Sequence, residues 1–311
     1  MHATDAPSSD HPHRSEGPVG ADRARAFLLV LVAYLVALVV ALLVGIAWAP
    51  AHPIAVAAAA DVAATLAVFA FSVAFRNSSF YDPYWSVAPI PIALYWVAAA
   101  APGAAQPARQ ALVLACVALW GARLTANWAR GWGGLAHEDW RYVDMRAWSG
   151  RLYWPVSLVA IHLVPTAVVF LGCLPLWPAL AGGARPLGAL DALAAALCLG
   201  GTALELVADE QLRRFRRAGP PPEAILETGL WAWSRHPNYL GEIAFWLGLA
   251  FFGAAAAGLV AWAWLGAAAI VLLFRFASLP MMERRMLARR PGYAERQRRV
   301  SLLLPRPPRR A

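Results

Sequence analysis

Long apolar runs fix what this chain can become. They recur near residues 26–48, 54–75, 87–101, 108–128, 152–177, 187–207, 240–256 and 258–279. Most exceed the roughly 20 residues that a helix needs to cross a hydrocarbon core about 30 Å thick. A backbone in lipid must satisfy its own hydrogen bonds, so runs of this length fold as helices. Only 14% of the 311 residues are charged and the mean hydropathy is +0.52. The run at 87–101 is short and contains Pro89 and Pro91, so it reads as re-entrant or broken. The fold expected is all-α, a polytopic integral membrane helix bundle of six to eight spans.

Charge placement orients the bundle. Every basic residue is Arg, and all but Arg109, Arg123, Arg185 and Arg275 fall in the N-tail, 76–86, 129–151, 208–240 and the C-tail. That alternation satisfies the positive-inside rule with both termini cytoplasmic. The net charge of +9 then describes a basic cytosolic face beside anionic lipid. Charge alone also suits nucleic acid, but no soluble basic domain exists to carry it, and no such partner is expected. Cys116, Cys173 and Cys198 lie inside spans without metal-ligand spacing and read as small buried hydrophobes, so no metal is expected. Residues 1–25 are polar and Pro-rich and read as a disordered cytosolic tail. Ala47-Trp48-Ala49 resembles a signal-peptidase site, but the run before it is longer than a signal h-region, so an uncleaved first span is expected.

Residues 26–110 read as N-terminal membrane spans with little polar content, and 111–311 as a membrane domain with a cytosol-facing site. Three segments carry chemistry. In the first, Glu205, Asp209 and Arg216 share one helix face, offering carboxylates to hydroxyls or an amide and a guanidinium to a phosphate. The second runs from Trp233 to Glu242. Pro237 ends the preceding structure at His236, Asn238 is placed to cap a helix starting at Tyr239, and Tyr239 and Glu242 share a face. With Ser234, Arg235 and His236 this helix N-terminus makes an anion site. The third is the tail, where Glu283 and Arg284 leave the last span level with that block if the helices are neighbours. Asp61, Asp191 and His162 lie in or near apolar runs and receive no role.

Together these segments resemble the C-terminal part of the steroid 5α-reductase superfamily, in particular its bacterial multi-pass branch. The resemblance rests on Ala208-Asp209-Glu210-Gln211-Leu212 with Arg216, on Gly229-Leu230-Trp231, and on Ser234 through Glu242. Met282-Glu283-Arg284, Arg290-Pro291-Gly292-Tyr293, Leu304-Pro305, Phe80 through Ser86 and Glu138 through Tyr142 extend it over residues 76–311. It implies that Glu205, Asp209, Arg216, Asn238, Glu242 and Glu283 contact NADPH, with Arg235 and His236 beside its phosphates. It also implies hydride transfer from NADPH to an electron-poor C=C of a lipophilic, steroid-, isoprenoid- or lipid-like molecule entering from the bilayer. The family pairs a carboxylate with a Tyr at the substrate carbonyl. Here Asp82 is the nearest carboxylate, Tyr84 and Tyr142 are both candidate donors, and Trp120 stands at the family position.

The Arg-His-Pro-x-Tyr turn and the tail glutamate also occur in isoprenylcysteine-carboxyl-methyltransferase-like membrane enzymes that use S-adenosylmethionine. Asn238, Gly241-Glu242 and the Glu205/Asp209/Arg216 helix favour the reductase. A lipid- or sterol-binding protein without turnover is a third reading. A transporter fits less well, because the ionisable groups gather on one face rather than at the midplane. The oligomeric state and the substrate are not legible.

Overall fold

A computed structural model describes residues 19–308, and among them the protein is helical throughout. Seven stretches are long and apolar enough to cross a membrane: Asp22–Ala47, Pro53–Ala74, Pro107–Gly131, Trp140–Gly182, Ala189–Arg217, Pro237–Ala257 and Ala261–Arg289. The helices are α1 (Val19–Ala47), α2 (Pro53–Ala74), α3 (Tyr84–Val87), α4 (Pro89–Ala98), α5 (Pro107–Gly131), α6 (Trp140–Ser149), α7 (Tyr153–Ser157), α8 (Val164–Cys173), α9 (Ala189–Arg217), α10 (Pro237–Ala257), α11 (Leu265–Leu273), α12 (Leu279–Arg289) and α13 (Tyr293–Arg299). Part of the tail expected to be disordered is thus helical from Val19, and the remainder lies outside the described residues.

The run at 87–101 does not make a full span. Pro83 and Pro89 bracket a one-turn α3, and the ten residues of α4 reach only about 15 Å. The chain nevertheless crosses here in pieces. Asn77 donates to the carbonyls of Leu135 and His137 (2.9 and 3.1 Å) at one end of the bundle, and Trp96 Nε1 donates to the Pro53 carbonyl (3.3 Å) at the other. Seven long helices plus this broken crossing place Val19 and Pro308, the ends of the described chain, on the same side, as the Arg distribution requires.

Wide π-helical turns at Leu158–Leu163, Pro178–Gly182 and Phe274–Ser278 interrupt the spans. Pro165 and Pro280 follow the first and third by two residues, and each ring displaces a carbonyl within the turn and removes a ladder N–H, while Pro178 opens the second.

Small residues set the closest approaches. A Cβ on Gly201 would meet the Gly241 carbonyl oxygen at 2.5 Å, and one on Gly241 would meet the Gly201 oxygen at 2.6 Å, so α9 and α10 touch backbone to backbone. A Cβ on Gly121 would meet the Ser86 carbonyl oxygen at 2.5 Å, which clamps α5 to α3 in the same way. Between these pairs sits an aromatic core. Trp120 stacks on Phe245 (4.4 Å between centroids, 7° between planes) with Trp246 edge-on at 5.2 Å.

The N-terminal spans hold more polar groups than their composition suggests. Tyr84 donates to Asp61 Oδ1 (2.8 Å), Tyr81 bonds Thr166 (2.7 Å), Thr166 bonds Thr65 (2.8 Å), and His162 Nε2 lies 3.2 Å from Ser72 Oγ. Asp191, at the opposite end from the tail, is also not solitary. Arg109, fully buried, forms a fork to both its oxygens (2.6 and 2.9 Å), while Asp191 also accepts from the Gly188 N–H (2.9 Å) at the start of α9.

Candidate functional site

Glu205 and Asp209 stand one turn apart on α9, and Arg123 and Asn127 one turn apart on α5. The two faces meet. Arg123 pairs with Glu205 and, at 2.8 Å, with Asp209, while Asn127 donates to the same Asp209 oxygen at 3.0 Å. Asn238, in the first turn of α10, donates to the other Asp209 oxygen at 3.2 Å. This is a correction to the expected cap. Pro237 occupies the first turn of α10 itself, where its missing N–H costs nothing, and Asn238 reaches across to α9 instead.

The cluster is under-satisfied. Glu205 Oε1, Asn238 Oδ1 and Arg123 Nε are buried and have no hydrogen-bond partner among the described residues. Buried polar atoms are paired in the great majority of cases, so three orphans in one cluster leave hydrogen-bonding capacity there for water or another group. Arg216 does not join the cluster. It lies two turns beyond Asp209 on α9, exposed, within electrostatic reach of Arg290. Sequence reasoning did not assign Arg123 or Asn127. Their signal was an ionisable residue inside a span with an amide four residues on.

Glu242 lies deeper than the rest. It is 5% exposed, and its two carboxylate oxygens accept from Trp246 Nε1 (2.8 Å) and Trp120 Nε1 (3.0 Å). The Trp120 indole is thereby committed to a carboxylate of the chain itself.

Arg235 and His236 turn away from Asp209 toward the tail. Glu283 accepts from Arg235 Nε (3.1 Å), Tyr293 Oη (2.6 Å) and Gln297 Nε2 (2.6 Å), and lies 2.7 Å from His236 Nε2. Ser234 bridges to Ser301, and the Arg235 N–H donates to the Ser301 carbonyl (2.9 Å). This hub ties the C-tail under α10. Burial and the adjacent Glu283 carboxylate push the Tyr293 phenol above its ordinary value. Glu283 is saturated, in contrast to Glu205. Arg284, its neighbour, points off another face of α12, exposed, donating only to the Pro280 carbonyl (3.3 Å) among the described residues. The ring of Tyr239 stands edge-on to His236 (5.7 Å) and Phe274 (4.7 Å).

Of the candidate catalytic groups, Asp82 and Tyr142 come together. The Tyr142 hydroxyl donates to Asp82 Oδ1 at 2.6 Å. Burial pushes the Asp82 carboxyl up to about 6 against the opposing pull of that bond. Tyr84 does not join them, because its hydroxyl is spent on Asp61 inside the bilayer. No group of three His, Cys, Asp or Glu among the described residues is placed to hold a metal.

Fold and site thus define a multi-pass helical membrane protein with an under-satisfied acid–amide cluster at one end of the bundle, where α9 leaves it and α10 enters. The model of the family described as "Protein of unknown function (DUF1295)" matches residues 68–300, and the chain belongs to that family. The chain is also similar to an uncharacterized protein of Schizosaccharomyces pombe, with 31% identity over 261 residues, or 76% of this chain and 74% of that protein. No solved structure matches.

Proposed function

We propose that this protein is an NADPH-dependent membrane reductase of a conjugated C=C in a lipophilic substrate, a member of the steroid 5α-reductase superfamily working from the cytoplasmic face of the plasma membrane. The observation that carries the reading is the trio of orphaned atoms on Glu205, Asn238 and Arg123. Their chemistry fits a dinucleotide, since carboxylate and amide oxygens suit ribose hydroxyls or the carboxamide. Guanidiniums suit phosphates, and Arg216 stands exposed two turns further along α9. When bound, NADPH supplies the hydride. The chain's own part is to hold the nicotinamide end against α5 and α10 and to keep water out with the Trp120, Phe245 and Trp246 cluster. Tyr142 Oη, hydrogen-bonded to Asp82, holds a proton at the level where α6 begins and is the candidate donor to a substrate carbonyl.

Titration calorimetry on the purified full chain tests this. NADPH binds the wild type, Asn238→Ala weakens it about tenfold through loss of one bond to a buried acceptor, and S-adenosylmethionine does not bind. Absence of NADPH binding sinks the reductase reading. Heat from S-adenosylmethionine in its place supports the methyltransferase.

A further inference from the structure

α12 is two-sided. One face carries Glu283 into the hub beneath α10, while another turns toward α6 and opens a cavity of about 330 Å³. Its walls include Met281, Arg284, Arg285 and Arg289 from the α12 side, facing Trp140 and Asp144, one turn apart on α6. Arg285 is a fixed wall, with its guanidinium over the Trp140 ring at 3.8 Å and 3.7 Å from Asp144. Arg284 and Arg289 form no ion pair among the described residues, and both are exposed. Three guanidiniums thus face one carboxylate, and the cavity carries an uncompensated positive charge.

We infer that this cavity is a binding site for the phosphodiester headgroup of an anionic membrane lipid, a site separate from the Asp209 cluster. Guanidiniums take phosphate oxygens in forked pairs, and two unneutralised ones around an open hollow match a single phosphodiester. Its position favours a lipid source over a soluble one. The cavity lies where the last span, Ala261–Arg289, leaves the bilayer. Leu272 and Phe276, 55% and 70% exposed, lie earlier in that span, where acyl chains run. Trp140 supplies the indole that such a boundary favours. The Arg-rich side of the protein is the side that faces an anionic leaflet.

The test is native mass spectrometry of the full chain in neutral detergent, with phosphatidylglycerol and phosphatidylcholine of equal chain length. The expected result is retention of phosphatidylglycerol over phosphatidylcholine, with a loss of about fivefold for each arginine neutralised in R284Q/R289Q. R284K/R289K, which keeps the charges but not the forked geometry, retains a preference between those of the wild type and R284Q/R289Q. Equal retention of the two lipids by the wild type overturns the proposal, as does undiminished phosphatidylglycerol binding by R284Q/R289Q. Displacement of the lipid by millimolar inorganic phosphate assigns the cavity to a soluble anion, and displacement by NADPH assigns it to the cofactor. Either result overturns the lipid source. Should R284Q/R289Q not fold, these wild-type competitions decide.

Discussion

Glu242 reads from its motif as a cofactor contact, yet its surroundings make it first a structural acceptor, and Glu242→Gln separates the two roles. Both carboxylate oxygens are occupied by indole N–H groups at 2.8 and 3.0 Å, and the indoles cannot turn. Trp120 is held flat on Phe245, and the Trp246 ring fills the space that a Cβ on Gly172 would enter at 2.5 Å. A glutamine offers one oxygen and one NH2, so in either amide orientation one indole N–H faces another donor. Leaving one buried donor unsatisfied and losing its bond costs about 2–3 kcal/mol. Glu242→Leu strands both indoles and costs roughly twice that. Adding W120F and W246F to Glu242→Leu removes the stranded donors as well and recovers a large part of the loss. The assay is the apparent melting temperature in detergent with no nucleotide present. The argument fails if E242Q melts with the wild type, or if the triple variant melts no higher than Glu242→Leu.

Two further outcomes follow from buried charge. Arg109→Met leaves Asp191 ionised beneath three carbonyls that have lost their donor, and costs about 3–5 kcal/mol in a thermal melt, with part recovered in R109M/D191N; an unchanged melt refutes the pairing. Burial holds the Asp82 carboxyl at about 6, above its value of about 4 in an unfolded chain, so the folded protein binds that proton more tightly. Its stabilising contribution is full below about pH 4 and is lost as pH rises through about 6. The melting temperature of Asp82→Asn minus that of the wild type therefore rises between pH 4 and pH 6, and a flat difference contradicts the assignment.

Fold class was legible because hydropathy and Arg placement are one-dimensional signals. A run of apolar residues spans lipid whatever its neighbours do. The interrupted crossing was readable for a related reason, since Pro89 and Pro91 act on their own backbone. The site was legible only along each helix. The spacing of Glu205 and Asp209 put them on one face, but nothing local reveals that Arg123 and Asn127, far away in sequence, close it. Asn238 shows the converse. Its position beside Pro237 satisfies a local capping rule, and a tertiary partner, Asp209, overrides it. Glu283 and Arg284 are adjacent in sequence yet serve different cavities, because consecutive helical residues point about 100° apart.

The glycine contacts divide the bundle mechanically. Gly201 against Gly241 makes α9 and α10 one rigid jaw, which carries Glu205, Asp209 and Asn238. Gly121 against Ser86 welds α5 to α3 as the opposing jaw. Deep in the bilayer the jaws are pinned by Trp120 on Glu242, whereas at the Asp209 end their polar contacts among the described residues run through Arg123 and Asn127. The joint between the jaws is thus aromatic at its Trp120 end and ionic at its Asp209 end, so loss of the Arg123 guanidinium loosens one end and leaves the other pinned.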